Sequence, residues 1–291
     1  KIKNKIVFPD SFPSYYDWLL DGEDFVIASN NFHELSDLFA QSDLICCLDF
    51  NHLNRCGDEL ANCIRNCNAE QFVIDHHTYP EHFSSYEIID SNASSTCELI
   101  FTLIKDNQDE KLIDKSIAEA IYTGLVTDTG SFKFSSASSY THEVASKLML
   151  TGFDHAKVQQ SINDQNSISR LRLLGYALQK IKIDSKISLA YLLLTKDELD
   201  KFDFQKGDTE GFVNFGLRIK GVNVSVIFIE DSNEDIIKIS FRSKEKIDVS
   251  KFAKKYFSGG GHKNASGGFS NNSIIETEKK FIASVKEFFT R

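Results

Sequence analysis

Short apolar runs alternate with helix-forming stretches through the first half of the chain, and this alternation is the feature that most restricts the fold. Several runs are apolar at every position, which is typical of strands buried on both faces of a parallel sheet. We therefore predict an α/β domain with a largely parallel sheet. The predicted strands are 5–8, 25–29, 44–50, 71–75 and 87–90, and the predicted helices are 32–40, 58–67, 94–105 and 114–127.

A second α/β unit follows a helical stretch. Residues 138–183 have a helical pattern throughout, after which apolar strand patterns return. We predict a first domain over 1–160, a helical linker over 161–185 and a smaller mixed-sheet domain over 186–291. The strands predicted in it are 187–194, 222–229 and 236–241, and the helices are 196–202 and 274–289.

Charge and composition exclude several classes of protein. The net charge is −9 and no long run of Lys and Arg occurs, so a grip on long duplex nucleic acid is not expected. No run approaches the roughly 20 apolar residues that span a bilayer. Six cysteines in a chain of 291 residues with an ordinary apolar fraction indicate reduced thiols and a cytoplasmic location.

Acidic and histidine residues stand where predicted strands or helices end. Asp49 ends one strand, Asp75-His76-His77 ends another, and Asp128 ends a helix. Ligand sites of parallel sheets collect at the carboxyl ends of strands. Any one of these residues alone is more often a turn, cap or surface residue. Together they predict a mixed nitrogen and oxygen site that suits Mn²⁺.

Five segments, in order, resemble the motifs of one enzyme family. The chain is similar to DHH/DHHA1 phosphoesterases, and to their nanoRNase and pAp-phosphatase branch in particular. The resemblance implies a Rossmann-like first domain and a DHHA1 substrate-binding domain. The matching segments are 47–51, 73–77 (the Asp-His-His run), 93–99, 127–132 and 259–262, with Arg242 on an upstream strand.

The resemblance implies a role for each metal-site residue. Asp49 would bridge two Mn²⁺ ions, and His76 and Asp128 would bind the second ion. His77 would face the substrate phosphate and the attacking water, while Asp75 would orient the histidine pair. Mg²⁺ and Co²⁺ are alternatives to Mn²⁺.

The second domain would meet the substrate through Arg242, Gly259, Gly260, Gly261 and His262. Glycines there would let backbone N–H groups approach an anion closely. For Arg242 the competing interpretation is a solvated strand charge. Arg55 is a weaker phosphate candidate, with a surface charge at a helix start as its alternative.

The implied activity is hydrolysis of short oligoribonucleotides, dinucleotides above all, and of pAp to mononucleotides. The alternatives are a phosphodiesterase for cyclic or linear dinucleotides and a non-catalytic nucleotide-binding protein. Family II pyrophosphatases and RecJ-type exonucleases share part of the motif set. The expected partner is a short RNA or nucleotide, and a homodimer is left open.

One family motif has no counterpart in the sequence. The His-x-x-x-Asp-x-Asp segment that supplies the first ion's ligands is not found, the chain begins with lysine, and its single methionine is Met149. We therefore expect a native N-terminus upstream of Lys1, and part of a two-ion site in these residues. The strand before that motif would lie beside the strand that delivers Asp49, unless another segment fills its place.

Overall fold

The computed structural model describes residues 3–12, 14–231, 235–244 and 246–289. The chain forms two compact units, Lys1–Gln165 and Asn166–Arg291. Within the described ranges, no helix combines the length and the apolar character needed to cross a membrane.

The strands of the first unit are short and all their pairings are parallel, as predicted. The helices α1 and α2 bury one side of the sheet region in a core that includes Leu35, Leu60, Cys47 and Val73. The elements are β1 Ile6–Phe8, β2 Phe25–Ile27, α1 Phe32–Ala40, β3 Leu44–Leu48, α2 Asp58–Asn66, β4 Glu70–Asp75 and β5 Tyr86–Ile89.

The parallel sheet is divided, which the sequence did not predict. β1 pairs with β2, and β3, β4 and β5 form a separate sheet in which β3 is an edge strand. No described strand pairs with the outer edge of β3, so no described segment occupies the position expected for a neighbouring strand. Leu44 and Leu48 of β3 are accordingly 50% and 45% exposed.

Four helices complete the first unit. The start of α3 is capped by Ser95, whose hydroxyl accepts a hydrogen bond from the Glu98 N–H. The helices pack around a second core that includes Phe101, Leu125 and Leu148. They are α3 Thr96–Asp106, α4 Lys115–Thr129, α5 Ser139–Met149 and α6 His155–Asn163.

The second unit is built on one mixed sheet of six strands in the order β10-β11-β9-β8-β7-β6, with β7 and β8 parallel and the other pairs antiparallel. The strands are β6 Lys182–Asp184, β7 Leu189–Leu194, β8 Val224–Asp231, β9 Ile236–Ser243, β10 Gly260–His262 and β11 Ala265–Ser270. The helices are α7 Ile168–Gln179, α8 Lys196–Asp200, α9 Phe212–Gly216, α10 Val249–Tyr256 and α11 Ile274–Phe289.

The segment predicted as a helical linker belongs largely to the second unit. Leu173 and Ala177 of α7 are fully buried in a core shared with Leu192 and Phe212. β6 lies in the same segment and pairs with β7. The helical pattern therefore ends before residue 182, because the last residues of the stretch extend the sheet.

Candidate active site

Asp49 is fixed by the backbone as well as by its position after β3. Its N–H donates to the Ile74 carbonyl at 3.0 Å, which extends the pairing of β3 with β4 by one residue. Its φ of 66° lies in the left-handed region that non-glycine residues rarely adopt. Strained residues of this kind cluster at functional sites. The carboxylate is thereby held at the carboxyl end of the sheet, 56% exposed.

The structure brings Asp49, His76 and Asp128 together. His76 Nε2 lies 3.6 Å from Asp49 Oδ1 and 3.8 Å from Asp128 Oδ2. Two ligands that are each about 2.1 Å from one ion are at most about 4.2 Å apart, so both separations fit a shared ion. His76 Nδ1 lies 3.3 Å from the Ala93 carbonyl oxygen, a contact in which Nδ1–H donates and Nε2 is left to bind the metal. The donor set therefore fits a divalent cation.

His77 and Asp75 form a hydrogen-bonded pair beside these ligands. His77 Nδ1 lies 2.6 Å from Asp75 Oδ1, and the His77 N–H donates to Asp75 Oδ2 at 3.2 Å. Burial raises the pKa of the Asp75 carboxyl, but the hydrogen bonds and charge of His77 outweigh it and leave this pKa below its ordinary value. Asp75 is 0% exposed and its carboxylate is committed to His77, so it orients the imidazole.

The ionised form of Asp128 is destabilised by its surroundings in the site. It stands in the last turn of α4, which ends at the left-handed Gly130. Burial, and then the nearby Asp49 carboxylate, raise the pKa of Asp128 to about 6. Two carboxylates are thus held close together where a cation would relieve their repulsion.

This pKa shift predicts how the metal-free protein responds to Asp128→Asn. The folded-state pKa lies above the unfolded value of about 3.8, so ionisation of Asp128 lowers folding stability progressively as pH rises from about 4 to about 6. In EDTA, the melting temperature of Asp128→Asn relative to wild type should therefore be higher at pH 7.5 than at pH 5. With Mn²⁺ at pH 7.5 wild type should melt at a higher temperature than Asp128→Asn, because the charged carboxylate binds the ion more tightly than the neutral amide does. Thermal melts of both proteins under the three conditions check this, and a pH-independent difference in EDTA would contradict it.

Two residues at the start of α3 support the site and were not predicted as functional. Thr96 Oγ1 donates to Asp49 Oδ1 at 2.7 Å, which orients the ligand carboxylate. The buried Glu98 carboxylate accepts from Ser94 Oγ at 2.7 Å and from Thr141 Oγ1 at 2.6 Å, which ties α3 to α5. The sequence 93–99 carried the family resemblance but gave no sign of these partners.

In the second unit, the register of three strands aligns Arg242 with His262. Arg242 of β9 pairs with Ala265 of β11, and Ala265 pairs with His262 of β10. Directly paired residues point to the same face of a sheet, so the guanidinium and the imidazole flank one alanine. Burial lowers the pKa of Arg242, and the Glu210 carboxylate opposes that shift. Arg242 is half-buried. The competing interpretation, a fully solvated charge on a strand, therefore does not describe it.

The glycines before His262 differ in why they are needed. A Cβ on Gly259 would lie 2.0 Å from the Gly267 carbonyl oxygen. Gly261 has a φ of +131°, and its Cβ would lie 2.8 Å from the Ala265 carbonyl oxygen. A Cβ on Gly260 would meet only Lys254 Cε at 3.7 Å, an ordinary contact. Close packing of the hairpin thus accounts for Gly259 and Gly261 but not for Gly260, which lies on the same face of β10 as His262.

Gly259→Ala and Gly260→Ala should separate these roles. Gly259→Ala forces backbone apart and should lower the free energy of unfolding by about 1–3 kcal/mol or more. Gly260→Ala should leave it unchanged or raise it by up to about 1 kcal/mol while weakening substrate binding. Urea unfolding of the two variants beside wild type measures the difference. Equal destabilisation by both would show that Gly260 is also a packing residue.

Comparison with known proteins agrees with this geometry. Residues 4–125 match the DHH family, N-terminal domain, and residues 186–291 match the DHHA1 domain. The chain is 30% identical over 246 residues to the probable bifunctional oligoribonuclease and PAP phosphatase NrnA of Streptococcus mutans, an alignment that covers 84% of this chain and 75% of that protein. The chain belongs to the DHH/DHHA1 family.

A second curated relative and a solved structure are also similar to this DHH/DHHA1 protein. The bifunctional oligoribonuclease and PAP phosphatase NrnA of Bacillus subtilis is 31% identical, over 68% of this chain and 62% of its own length. A crystal structure of an exopolyphosphatase-related protein from Bacteroides fragilis superposes with a TM-score of 0.94 at 37% identity, covering 98% of this chain and 83% of that one. The chain therefore spans between 62% and 83% of the length of these relatives.

Proposed function

We propose that the protein is a Mn²⁺-dependent phosphoesterase that hydrolyses very short oligoribonucleotides, dinucleotides above all, to mononucleotides. Dephosphorylation of pAp is its related activity. The observation that carries the proposal is the convergence of Asp49, His76 and Asp128 beside the Asp75–His77 pair. Its relatives in Streptococcus mutans and Bacillus subtilis are named for these two activities.

The protein's own residues divide the work. Asp49, His76 and Asp128 would hold the metal, and Thr96 keeps the Asp49 carboxylate in place. When bound, the metal lowers the pKa of a coordinated water and steadies the phosphoryl oxygens. Asp75 orients His77 towards the reacting water and phosphate. The mixed imidazole and carboxylate ligands favour Mn²⁺, with Mg²⁺ and Co²⁺ as alternatives, and Asp49 is the residue that would bridge a second ion.

A product assay tests the proposal. The full-length protein is incubated with pAp and with RNAs of two to five residues, in Mn²⁺ and in EDTA, and the products are separated by chromatography. Release of mononucleotides and AMP only with the metal supports the proposal. Failure to act on any of these substrates in Mn²⁺, Mg²⁺ or Co²⁺ would overturn it.

A dinucleotide second messenger is the competing substrate. The cyclic-di-AMP phosphodiesterase of Listeria monocytogenes is 29% identical over 224 residues, 75% of this chain and 32% of its own length. Cyclic and linear diadenylate in the same assay decide between the two, since faster turnover of the cyclic form would favour the messenger.

Arg242→Ala should raise KM for dinucleotides by about tenfold or more. A charge-assisted hydrogen bond to phosphate contributes roughly 1.5–3 kcal/mol, and 1.4 kcal/mol is a factor of ten. The matched control is Arg218→Ala in the same unit, where the guanidinium lies over the Phe215 ring, 4.5 Å from its centroid. Steady-state kinetics on a dinucleotide should show a raised KM in Arg242→Ala only. Equal KM values for the two variants would show that Arg242 does not bind the substrate.

The location proposed for this enzyme is the cytoplasm. All six cysteines are free thiols, and burial raises the pKa of Cys47 to about 12, which keeps this thiol protonated and unreactive. Short RNA fragments and pAp, the proposed substrates, are formed inside cells.

A further inference from the structure

Arg55 contacts the catalytic histidine directly. It stands in the 3-10 turn Leu53–Cys56, just before α2, and its Nη2 lies 3.0 Å from His77 Nε2. The other side of His77 is held by Asp75 at Nδ1, and the His77 carbonyl accepts from Asn51 Nδ2 at 2.7 Å. Asn51 is 2% exposed, so the loop that carries Arg55 and the Asp-His-His segment are tied together.

The contact fixes which ring nitrogen carries the proton. A guanidinium only donates hydrogen bonds, so His77 Nε2 must accept. The Asp75 carboxylate accepts from Nδ1–H on the opposite side. A neutral His77 with its proton on Nδ1 satisfies both contacts. In that form Nε2 accepts from a water but does not donate to a phosphate oxygen, so the phosphate needs another donor.

Arg55 is placed to be that donor. It is exposed, and among the described residues its guanidinium forms no ion pair with a carboxylate within 4.0 Å. It also borders a cavity of about 300 Å³ at the ends of β1 and β2 and the start of α2. Asp10, Asp58 and Glu59 border the same cavity and would repel an anion from it. The His77 side also carries carboxylates, Asp49 and Asp75, but they lie at the site that would hold the metal, so with the metal bound an anion is favoured on that side of the guanidinium.

We propose that Arg55 binds the phosphoryl group at the reaction centre, and that His77 Nε2 is the acceptor that holds the guanidinium ready before substrate arrives. On binding, Arg55 turns its donors to the phosphate oxygens, for which the planar guanidinium is well shaped. His77 Nε2 is then released to accept from the attacking water. This assignment rests on the proposed phosphoesterase function and divides the role that the family resemblance gives to His77 alone.

Phosphate binding tests the proposal without hydrolysis. Inorganic phosphate is titrated calorimetrically into the Mg²⁺-loaded full-length protein, for wild type, Arg55→Met, Arg55→Lys and the control Arg65→Met. Arg65 lies on α2 and its only described ion pair is with Glu81, at 3.9 Å. We expect phosphate affinity to fall about tenfold to a hundredfold in Arg55→Met, less in Arg55→Lys, and not in the control. Unchanged affinity in Arg55→Met would overturn the proposal.

Two further readouts exclude a structural effect. Mg²⁺ affinity and melting temperature should be the same in Arg55→Met as in wild type, because Arg55 touches none of the three ligands. In ¹⁵N-resolved NMR spectra, phosphate should shift the His77 Nε2 signal in wild type, and Arg55→Met should show the shifted position without phosphate. If wild type fails to hydrolyse RNA but these binding results hold, the proposed substrate is wrong and the assignment of Arg55 stands. If the His77 signal is the same in all samples, the contact has no role in binding.

Discussion

Asp49→Ala should lose both the metal and all measurable hydrolysis, whereas His77→Ala should keep the metal and lose turnover. Asp49 Oδ1 lies 3.6 Å from His76 Nε2, and the possible ligand atoms of Asp49, His76 and Asp128 all lie within 4.8 Å of one another. Without Asp49, His76 and Asp128 alone leave a weak site. His77 is bound by Asp75 at Nδ1, and in the proposed mechanism it faces water and phosphate and is not a ligand, so its removal should leave the metal in place. Loss of such a group typically lowers the rate by about 10²- to 10⁴-fold.

The two effects are separated by measuring Mn²⁺ content and kcat on the same samples. Elemental analysis after dialysis gives the metal, and cleavage of a dinucleotide gives the rate. His82→Ala is the matched control, because its imidazole pairs with Glu87 at 2.7 Å, is 67% exposed and does not join the ligand group. Equal loss of metal in Asp49→Ala and His77→Ala would show that His77 is itself a ligand.

The sequence was most informative where strands run through the core. The apolar run that predicted β4 is readable because both faces of this strand are covered near its end, where Val73 and Ile74 are 1% and 5% exposed. In β3 only the face of Cys47 is buried, and the run was readable from its apolar residues rather than from burial on both faces. The carboxyl ends of β3 and β4 then locate Asp49 and His76 without any knowledge of side-chain contacts. The division of the sheet could not be predicted, because the residues of β2 and of β3 do not indicate which strand pairs with each of them.

The contacts that tune the site depend on residues distant in the sequence. Thr96 reaches Asp49 across 47 positions, and Arg55 reaches His77 across 22. A threonine at a helix start has an ordinary local explanation, so no pattern marks Thr96. Arg55 was only a weaker phosphate candidate, because a surface charge at a helix start explains it equally well. The glycine run before His262 was predicted to let backbone N–H groups approach an anion closely. The structure places Gly260 and Gly261 in a strand, β10, with Gly259 just before it, and packing against the facing strand requires Gly259 and Gly261.

Cleavage should become slower as the RNA becomes longer, and kcat/KM on a dinucleotide should exceed that on a twenty-residue RNA by at least about tenfold, the equivalent of about 1.4 kcal/mol. The reason is the position of the side chains that can bind phosphate. Arg242 and His262 share one face of the second unit's sheet, and Arg55 stands beside His77 in the first. These local contacts suit a few phosphates.

Beyond them, the surface does not favour a continuing strand. The net charge is −9, and the cavity next to Arg55 is bordered by three carboxylates, so additional nucleotides add repulsion rather than affinity. A 5′-phosphorylated dinucleotide carries two phosphates, so its binding should depend only weakly on salt, with a log–log slope of about −1.4. Both quantities are measured with RNAs of two to twenty residues at several salt concentrations. Rates that stay level or rise with length, together with a steeper salt dependence, would instead indicate an exonuclease of the RecJ type that holds its product strand between cuts.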